Sequence, residues 1–210
     1  MEQFFFNYNL KPKFSANNFF VGKSNIEAYN LLINTNTINN SLLVGPPKSG
    51  KTHLSFIWQK KFNAIIYNST DINQILDNKS NIIIDNIFTN INEEEIFHII
   101  NHCLLFNCKI LITSHIKLNE YNFQLKDLSS RLKSFINVNI DLPDDELLVN
   151  LMTKLFQDKQ IIVKNPEIFH YIIKRVHRSY EKVFQLIDKI DNLLMKKNKQ
   201  LTIPIIKELI

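Results

Sequence analysis

The chain has 210 residues, of which 45% are hydrophobic and 21% are charged. These proportions are typical of a globular protein with one domain, or with one domain and a small appendage, and they exclude an intrinsically disordered chain. No run reaches the roughly 18–20 apolar residues of a membrane-spanning helix, and the N-terminus lacks the basic leader of a signal peptide. The two cysteines, Cys103 and Cys108, provide no disulfide framework. We therefore expect a cytoplasmic protein without a membrane partner.

The net charge is +5 at pH 7, and the sequence pI is about 9.1. A basic balance is compatible with a nucleic-acid partner. However, the lysines are dispersed, apart from one cluster of Lys196, Lys197 and Lys199, and the richness in Lys, Asn, Ile and Phe is what AT-rich codons would produce. We expect a solvated basic face, and DNA contact that is weak or indirect.

Up to Asp141 short apolar runs alternate with helical patterns. Strands are predicted at 41–44, 64–67, 81–84, 109–114 and 137–140, with helices at 52–61, 71–76 and 92–106 between them. Asn92 is a good N-cap, because Glu93 and Glu94 follow it and Glu95 stands three residues on. Alternating strands and helices predict an α/β fold with a parallel sheet covered by helices on both faces.

After Asp141 the pattern predicts helices alone. The first begins at Pro143 with acidic residues in its first turn, and the second begins at Asn165 and Pro166. A third runs from Ser179 to about residue 195, and Thr202 caps a short fourth. The predicted organisation is a tail over residues 1–18, an α/β core over 19–141 and a helical subdomain over 142–210.

The chain has only three glycines, Gly22, Gly45 and Gly50, where average usage of about 7% would give roughly fifteen. Such a sequence keeps glycine where the backbone needs positive φ or approaches another group closely. Two of them lie in residues 45–52, which match the phosphate-binding P-loop pattern G-x-x-x-x-G-K-[ST].

The P-loop pattern stands between a predicted strand and a predicted helix, which is the context that the motif requires. The free amides and the dipole of that helix would favour phosphate, Lys51 would reach the β- and γ-phosphates, and the Thr52 hydroxyl would bind Mg²⁺. The predicted nucleotide-binding residues of this loop are Gly45, Pro46, Pro47, Lys48, Ser49, Gly50, Lys51, Thr52 and His53.

A second motif, the Walker B strand, lies at residues 81–85. It is a β-branched run that ends in Asp85, and an acid at this strand end can hold Mg²⁺ together with Thr52. The next residue is Asn86, where many ATPases carry a carboxylate that polarises the attacking water. Because Asn cannot accept a proton from water, we expect slow or absent intrinsic ATP hydrolysis.

The order of these and other motifs resembles the AAA+ module of the replication initiator DnaA, and it is most similar to the short DnaA-related regulators of the Hda family. The resemblance covers essentially the whole chain, and its specificity lies in the order of several motifs. The matching segments are residues 19–28, which line the adenine site in that family, the P-loop, 81–85, 95–98 with Asn101, 127–132, 142–145 and 175–179.

This resemblance implies an AAA+ core with a helical lid that binds ATP or ADP with Mg²⁺. It implies nucleotide contacts from Gly22, Asn25 and the sensor-2 residue Arg178, and it makes Arg131 an arginine finger acting on ATP held by DnaA. It also implies that the tail binds the sliding clamp, the β subunit of DNA polymerase III, through Gln3, Phe4 and Phe6. A homo-oligomer and a nucleoid-associated location are compatible with it.

The function implied is a regulator that stimulates hydrolysis of DnaA-bound ATP and so prevents re-initiation. We expect no DnaA-type DNA-binding domain, because the sequence stops after the lid. Two alternatives stay open: an adaptor in which Arg131 is idle, and an ATPase of the DnaC helicase-loader type.

Three further assignments are open from the sequence. The sensor-1 residue, a polar group near the γ-phosphate, is Thr113, Ser114 or His115. The phenylalanines of the tail either bind the clamp or pack on the protein's own core. His98, His102, Cys103 and Cys108 form no tetrad with zinc-site spacing, and we expect no zinc.

Overall fold

The computed structural model describes residues 14–35, 39–67, 72–89, 92–197 and 200–210, with the backbone alone at 73–75 and 196–197. The predicted clamp-binding residues Gln3, Phe4 and Phe6 lie outside the described residues, as does Lys199. The side chains of Lys196 and Lys197 are likewise outside the description. In the part of the chain that is described, no helix is long and apolar enough to cross a membrane.

A parallel sheet of five strands forms the centre of the core, as predicted. The strands are β1 (Ser41–Val44), β2 (Ile65–Ile66), β3 (Ile82–Ile84), β4 (Ile110–Ser114) and β5 (Ile136–Asn139), in the order β2-β3-β4-β1-β5. Strand β1 lies between β4 and β5, and all its residues are buried. Its burial on both faces explains its continuous apolar sequence.

Helices cover the two faces of the sheet. They are α1 (Ile26–Tyr29), which continues as a π-helical turn over Asn30–Asn34, α2 (Lys51–Phe62), α3 (Ile72–Asp77), α4 (Glu93–Leu105) and α5 (Lys126–Lys133). Successive residues of a strand face opposite sides of the sheet: Leu42 packs with α4 and α5, whereas Leu43 packs with α1 and α2. The predicted α/β class is therefore confirmed.

Two helix boundaries show how the caps act. Asn92 caps α4 as predicted, since its side chain accepts a hydrogen bond from the Glu95 amide at 3.3 Å. The first lid helix was predicted to begin at Pro143, and this is wrong by two residues. It begins at Asp145, because Asp144 is the N-cap and its Oδ1 accepts from the Leu147 amide at 2.7 Å.

The residues after Asp141 form the predicted helical lid. Its helices are α6 (Asp145–Asp158), α7 (Glu167–Ile173), α8 (Tyr180–Lys197) and α9 (Ile203–Lys207). They enclose an apolar cluster of their own, in which Met152, Ile172, Ile190 and Ile206 have no exposed surface. The lid is thus a packed unit rather than an extension of the sheet layer.

The lid is joined to the core by a buried hydrogen bond. The Tyr180 hydroxyl, at the start of α8, lies 3.0 Å from the hydroxyl of Ser24, and both residues are buried. Leu147 of α6 packs with the core cluster that contains α1 and α2. In addition, the Lys154 ammonium of α6 donates to the Asn18 carbonyl at 2.8 Å.

Replacing Tyr180 with Phe should lower the free energy of unfolding by about 1–3 kcal/mol, because the Ser24 hydroxyl is left buried without its partner. Urea denaturation followed by circular dichroism measures the change. Tyr171→Phe is the matched control, since that ring lies under the Arg175 guanidinium at 3.8 Å and the Phe ring keeps this contact. Equal losses in the two variants would contradict a specific role for the Ser24–Tyr180 bond.

Candidate nucleotide site

The carboxyl ends of three neighbouring strands meet at one edge of the sheet. The P-loop leaves β1 after Val44, Asp85 follows β3, and Thr113 and Ser114 end β4. Because ligands of open parallel sheets bind beyond the carboxyl ends of the strands, this edge is where the predicted site belongs. The motifs at residues 45–52 and 81–85 are therefore brought together by the topology.

Two of the three glycines have the geometric reason that their rarity predicts. A Cβ on Gly45 would lie 2.9 Å from the Ile140 Cβ and 3.2 Å from its carbonyl oxygen, and Gly50 has φ +92°. Gly22 differs, since its φ is not positive and an added Cβ would make only ordinary contacts of 3.4 Å with Leu147. The expectation of strain or close approach is thus wrong for Gly22.

The P-loop also contains Lys48 at φ +62°, a backbone conformation that is uncommon for a residue with a Cβ. Its ammonium lies 5.7 Å from the centre of the Phe184 ring, on lid helix α8. This contact extends from the loop to the lid, so the two sides of the cleft touch at the phosphate-binding loop.

Lys51 places its ammonium at the mouth of the loop. It donates to the Gly45 carbonyl at 2.7 Å and to the Pro46 carbonyl at 2.8 Å. Burial lowers the pKa of Lys51, and the negative charge of Asp85 opposes this shift. A phosphate group would supply the negative partner that two carbonyl dipoles only partly replace.

The carboxylate of Asp85 joins the helix after the P-loop to the end of β4. The Thr52 hydroxyl donates to its Oδ2 at 2.9 Å, and the Thr113 hydroxyl donates to its Oδ1 at 2.6 Å. Thr52 and Asp85 are therefore adjacent, as an Mg²⁺ site shared with a nucleotide requires.

Both polar atoms of the Asn86 side-chain amide are hydrogen-bonded. Its amide nitrogen donates to Thr89, which leaves its Oδ1 as the atom 2.8 Å from Nδ1 of His115. Its backbone has φ +54°, and its backbone amide donates to the Thr113 hydroxyl at 2.7 Å. An attacking water could still bind this amide group, but the amide cannot accept a proton from it.

The three sensor-1 candidates differ in exposure. Thr113 and Ser114 have no exposed surface, and their hydroxyls bond to Asp85 and to the Ile116 carbonyl. His115 is exposed, and its Nδ1 bonds to Asn86. Of the three, only His115 presents a side-chain atom at the surface of this edge.

One buried polar atom supports the fit of the loop to a phosphate group. The Ser49 hydroxyl is buried in the P-loop and has no hydrogen-bond partner among the described residues. A buried hydroxyl without a partner is costly, and a phosphate oxygen is a strong acceptor. Together with the Lys51 ammonium and the Gly45 cradle, this atom makes the residues present suitable for a nucleotide phosphate, with Thr52 and Asp85 suited to hold its Mg²⁺.

The segment before α1 closes one side of the P-loop. The Phe19 ring lies 3.1 Å from the position of a Cβ on Gly50 and meets the His53 ring edge-on at 5.3 Å. Phe19 was not named among the predicted site residues, although it is the first residue of the segment 19–28 that the resemblance places at the adenine site.

The side chains of Asn25 and His53 both form hydrogen bonds to the backbone of the segment before α1. Asn25 Oδ1 accepts from the Gly22 amide at 2.8 Å, and its Nδ2 donates to the Phe20 carbonyl at 2.9 Å. His53 Nε2 lies 2.8 Å from the Ser15 carbonyl, and burial lowers its pKa. Both residues therefore fix the backbone next to the P-loop.

The two predicted arginines belong to the lid and to α5. Arg178 precedes α8 and forms an exposed ion pair with Asp145, at 3.0 Å. Arg131 lies on α5, which packs on the sheet face opposite α2.

The cysteines and their neighbouring histidines do not gather into a site. Within the described ranges, no three His, Cys, Asp or Glu side chains are grouped so that they could hold a metal ion. Cys103 and Cys108 are buried free thiols, and burial raises the pKa of Cys103 to about 12, with a further contribution from Cys108. The Cys103 thiol therefore stays protonated at neutral pH.

Comparison with known proteins identifies the fold and the lid. Residues 148–210 match the family model described as the Hda lid domain. Domain III of the replication initiation protein DnaA from Thermotoga maritima superposes with a TM-score of 0.77 and 18% identity, over 96% of this chain and 97% of that chain.

Two further structures share the fold. AMPPCP-bound DnaA from Aquifex aeolicus has a TM-score of 0.68 and 20% identity, over 89% of this chain and 67% of that chain. A variant of RuvB from Thermotoga maritima has a TM-score of 0.66 and 17% identity, over 90% of this chain and 69% of that chain.

The sheet, the P-loop and the lid define an AAA+ protein. The Hda-type lid and the DnaA-like core together fit an Hda-like, DnaA-related AAA+ protein, as the sequence predicted.

Replacing Lys51 with Ala should weaken binding of Mg–ADP by about 10–100-fold, because a charge-assisted hydrogen bond to phosphate contributes about 1.5–3 kcal/mol. Isothermal titration calorimetry gives the affinity. Lys60→Ala, at the other end of α2, is the control and should leave the affinity unchanged. Unaltered binding in the Lys51 variant would contradict the assignment of the phosphate site.

Proposed function

We propose that this protein is a nucleotide-dependent regulator of replication initiation. It holds ADP or ATP with Mg²⁺ in the P-loop cleft, docks on the sliding clamp through Gln3, Phe4 and Phe6, and stimulates hydrolysis of the ATP held by DnaA. The observation that carries the proposal is the exposed guanidinium of Arg131 on a firmly packed helix.

Helix α5 is anchored from one side only. Leu128 and Leu132 have no exposed surface and belong to the core cluster, whereas Arg131 faces outward. Its guanidinium makes no hydrogen bond or ion pair with any residue that the structure describes. A rigid helix that presents an unpaired cation is suited to reach an anion on another molecule.

The surroundings of Arg131 also favour a contact between molecules. The side chain lines an open groove of about 370 Å³ together with Phe97, Asp127, Ser130 and Ser134. The α5 helix lies on the face of the sheet opposite α2, the helix that follows this chain's own P-loop. We therefore infer that Arg131 contacts a nucleotide bound to a partner molecule.

The chemistry of such a contact is that of an arginine finger. A guanidinium at the γ-phosphate stabilises the charge that develops during hydrolysis and can raise the rate by about 10³–10⁵-fold. In this chain's own site the side chain after Asp85 is an amide, and both ends of Asn86 are hydrogen-bonded. Slow intrinsic hydrolysis is consistent with a protein that acts on another molecule's ATP.

The partner and the ligand are supported by the comparisons. The Hda-type lid and the DnaA-like core favour DnaA as the molecule on which Arg131 acts. A DnaA structure of the same fold is AMPPCP-bound, which supports a nucleotide in the equivalent cleft here. The bonded pair Thr52 and Asp85 would hold the Mg²⁺, which neutralises phosphate charge.

Arg131→Ala should reduce the stimulated hydrolysis of DnaA-bound ATP by at least about tenfold, since the finger's stabilising charge is lost. Release of labelled phosphate in a single turnover measures it, with clamp-loaded DNA present. Lys133→Ala removes a charge from the same helix and should keep full stimulation. If the Arg131 variant stimulates as well as the parent while it binds the clamp, the adaptor function is favoured and the finger assignment is contradicted.

The double change of Phe4 and Phe6 to Ala should weaken clamp binding by about 30-fold or more, because buried aromatic anchors dominate such interfaces. Surface plasmon resonance on immobilised clamp gives the dissociation constant. Phe5→Ala is the control, since Phe5 is not among the predicted clamp-binding residues. If Phe5→Ala weakens clamp binding as much as the double change does, the assignment of Phe4 and Phe6 as specific clamp contacts is contradicted.

A further inference from the structure

A short connecting segment, residues 121–125, leads directly into α5 and so into the helix that carries Arg131. It is held at its two ends by residues from other parts of the chain. One attachment comes from the turn after Asp85, and the other comes from the first turn of α4.

The first attachment is a cluster of three aromatic rings. Phe88, on the turn after β3, stacks on Tyr121 with 4.3 Å between ring centres, and it meets Phe123 at 5.9 Å. Tyr121 and Phe123 also contact each other, at 4.8 Å. Such pairs stabilise a contact beyond the area they bury, so the cluster ties the segment to this turn.

The second attachment is the carboxylate of Glu93. Its Oε1 accepts from the Gln124 amide at 3.1 Å, and its Oε2 accepts from the Leu125 amide at 2.6 Å. Leu125 is the residue immediately before α5. Bonds from a carboxylate to backbone amides are stronger than neutral ones, and here both oxygens fix the entry of the helix.

The aromatic cluster begins three residues after Asp85. The intervening turn is bonded to β4, because the Asn86 amide donates to the Thr113 hydroxyl at 2.7 Å and the Ile87 amide donates to the Thr113 carbonyl at 3.0 Å. The turn from Asp85 to Phe88 is therefore a continuous, hydrogen-bonded connection between the nucleotide-binding edge and the ring cluster.

We propose that Phe88, Tyr121 and Glu93 are positioning residues for Arg131, and that they make the placement of α5 depend on the nucleotide in this chain's own P-loop. This proposal rests on the proposed function, because it requires a nucleotide in the P-loop and Arg131 as the acting residue. Binding of Mg²⁺ with a nucleotide must alter the direct hydrogen bond of Thr52 to Asp85. The change passes along the turn to the ring cluster and then to residues 124 and 125. A misplacement of about 1 Å can cost a catalytic group about 100-fold in rate.

The first test uses hydrogen exchange of the Gln124 and Leu125 amides, measured by NMR without DnaA or clamp. Without nucleotide, Glu93→Gln should speed their exchange by about tenfold, since the charged acceptor is lost. The control Glu94→Gln, from the same turn of α4, should leave it unchanged. No effect of the Glu93 change on these amides would overturn the proposed attachment of α5.

The same amides report the coupling to the nucleotide. Addition of Mg–ADP should change their exchange rates in the parent protein but not in Tyr121→Leu, which lacks the ring. Tyr121→Phe keeps the ring and should restore the response, and Phe106→Leu is a control for the loss of a distant aromatic ring. If Mg–ADP binds and Tyr121→Leu still responds like the parent, the coupling is overturned.

The second test measures stimulation of DnaA-bound ATP hydrolysis with the protein loaded with Mg–ADP and without nucleotide. In the parent the two rates should differ, and in Tyr121→Leu their ratio should fall to about one with an unchanged affinity for Mg–ADP. A parent that stimulates nothing would contradict the proposed function, whereas the exchange experiment would still decide the positioning of α5. A parent ratio that survives in Tyr121→Leu would overturn the positioning role.

Discussion

The carboxylate of Asp85 is the interaction on which the rest of the site depends. It accepts hydrogen bonds from the Thr52 and Thr113 hydroxyls. It thereby links the end of β3 to the helix after the P-loop and to the end of β4. Thr113 is completely buried, so its hydroxyl needs this acceptor. The parallel sheet brings the three strand ends together, and this hydrogen-bonded carboxylate fixes how they face one another.

From this centre, connections run in two directions. Towards the lid, the P-loop contacts α8 through Lys48 and Phe184, and the core is bonded to the lid through Ser24 and Tyr180. Towards the other face, the turn after Asp85 contacts the segment that leads into α5. Connections from Asp85 therefore reach both the lid and the helix that carries Arg131.

The local features of the fold could be predicted from the sequence because each depends on residues close together in the chain. The continuous apolar runs indicated the strands, the spacing of Gly45, Gly50 and Lys51 indicated the P-loop, and the Asn92 cap indicated the start of α4. Helix α5 could not be recognised so easily, because only Leu128 and Leu132 of its residues face the core.

Other features depend on contacts between distant segments, which no local pattern contains. The bond from Glu93 to the Leu125 amide spans 32 positions, and the bond from Ser24 to Tyr180 spans 156. The role of Phe19 at the P-loop likewise depends on tertiary packing. The start of α6 was misplaced because Pro143 and Asp144 are both good residues for a helix start, and the Asp144 side chain decides between them.

The central claim is that this protein acts on ATP held by DnaA. The most direct measurement is single-turnover hydrolysis of ATP preloaded on DnaA, with clamp-loaded DNA, in the presence and absence of this protein and ADP. The account predicts that hydrolysis accelerates by at least about tenfold and that the acceleration requires both the clamp and this protein. An unchanged rate, under conditions where the protein binds both Mg–ADP and the clamp, would contradict it.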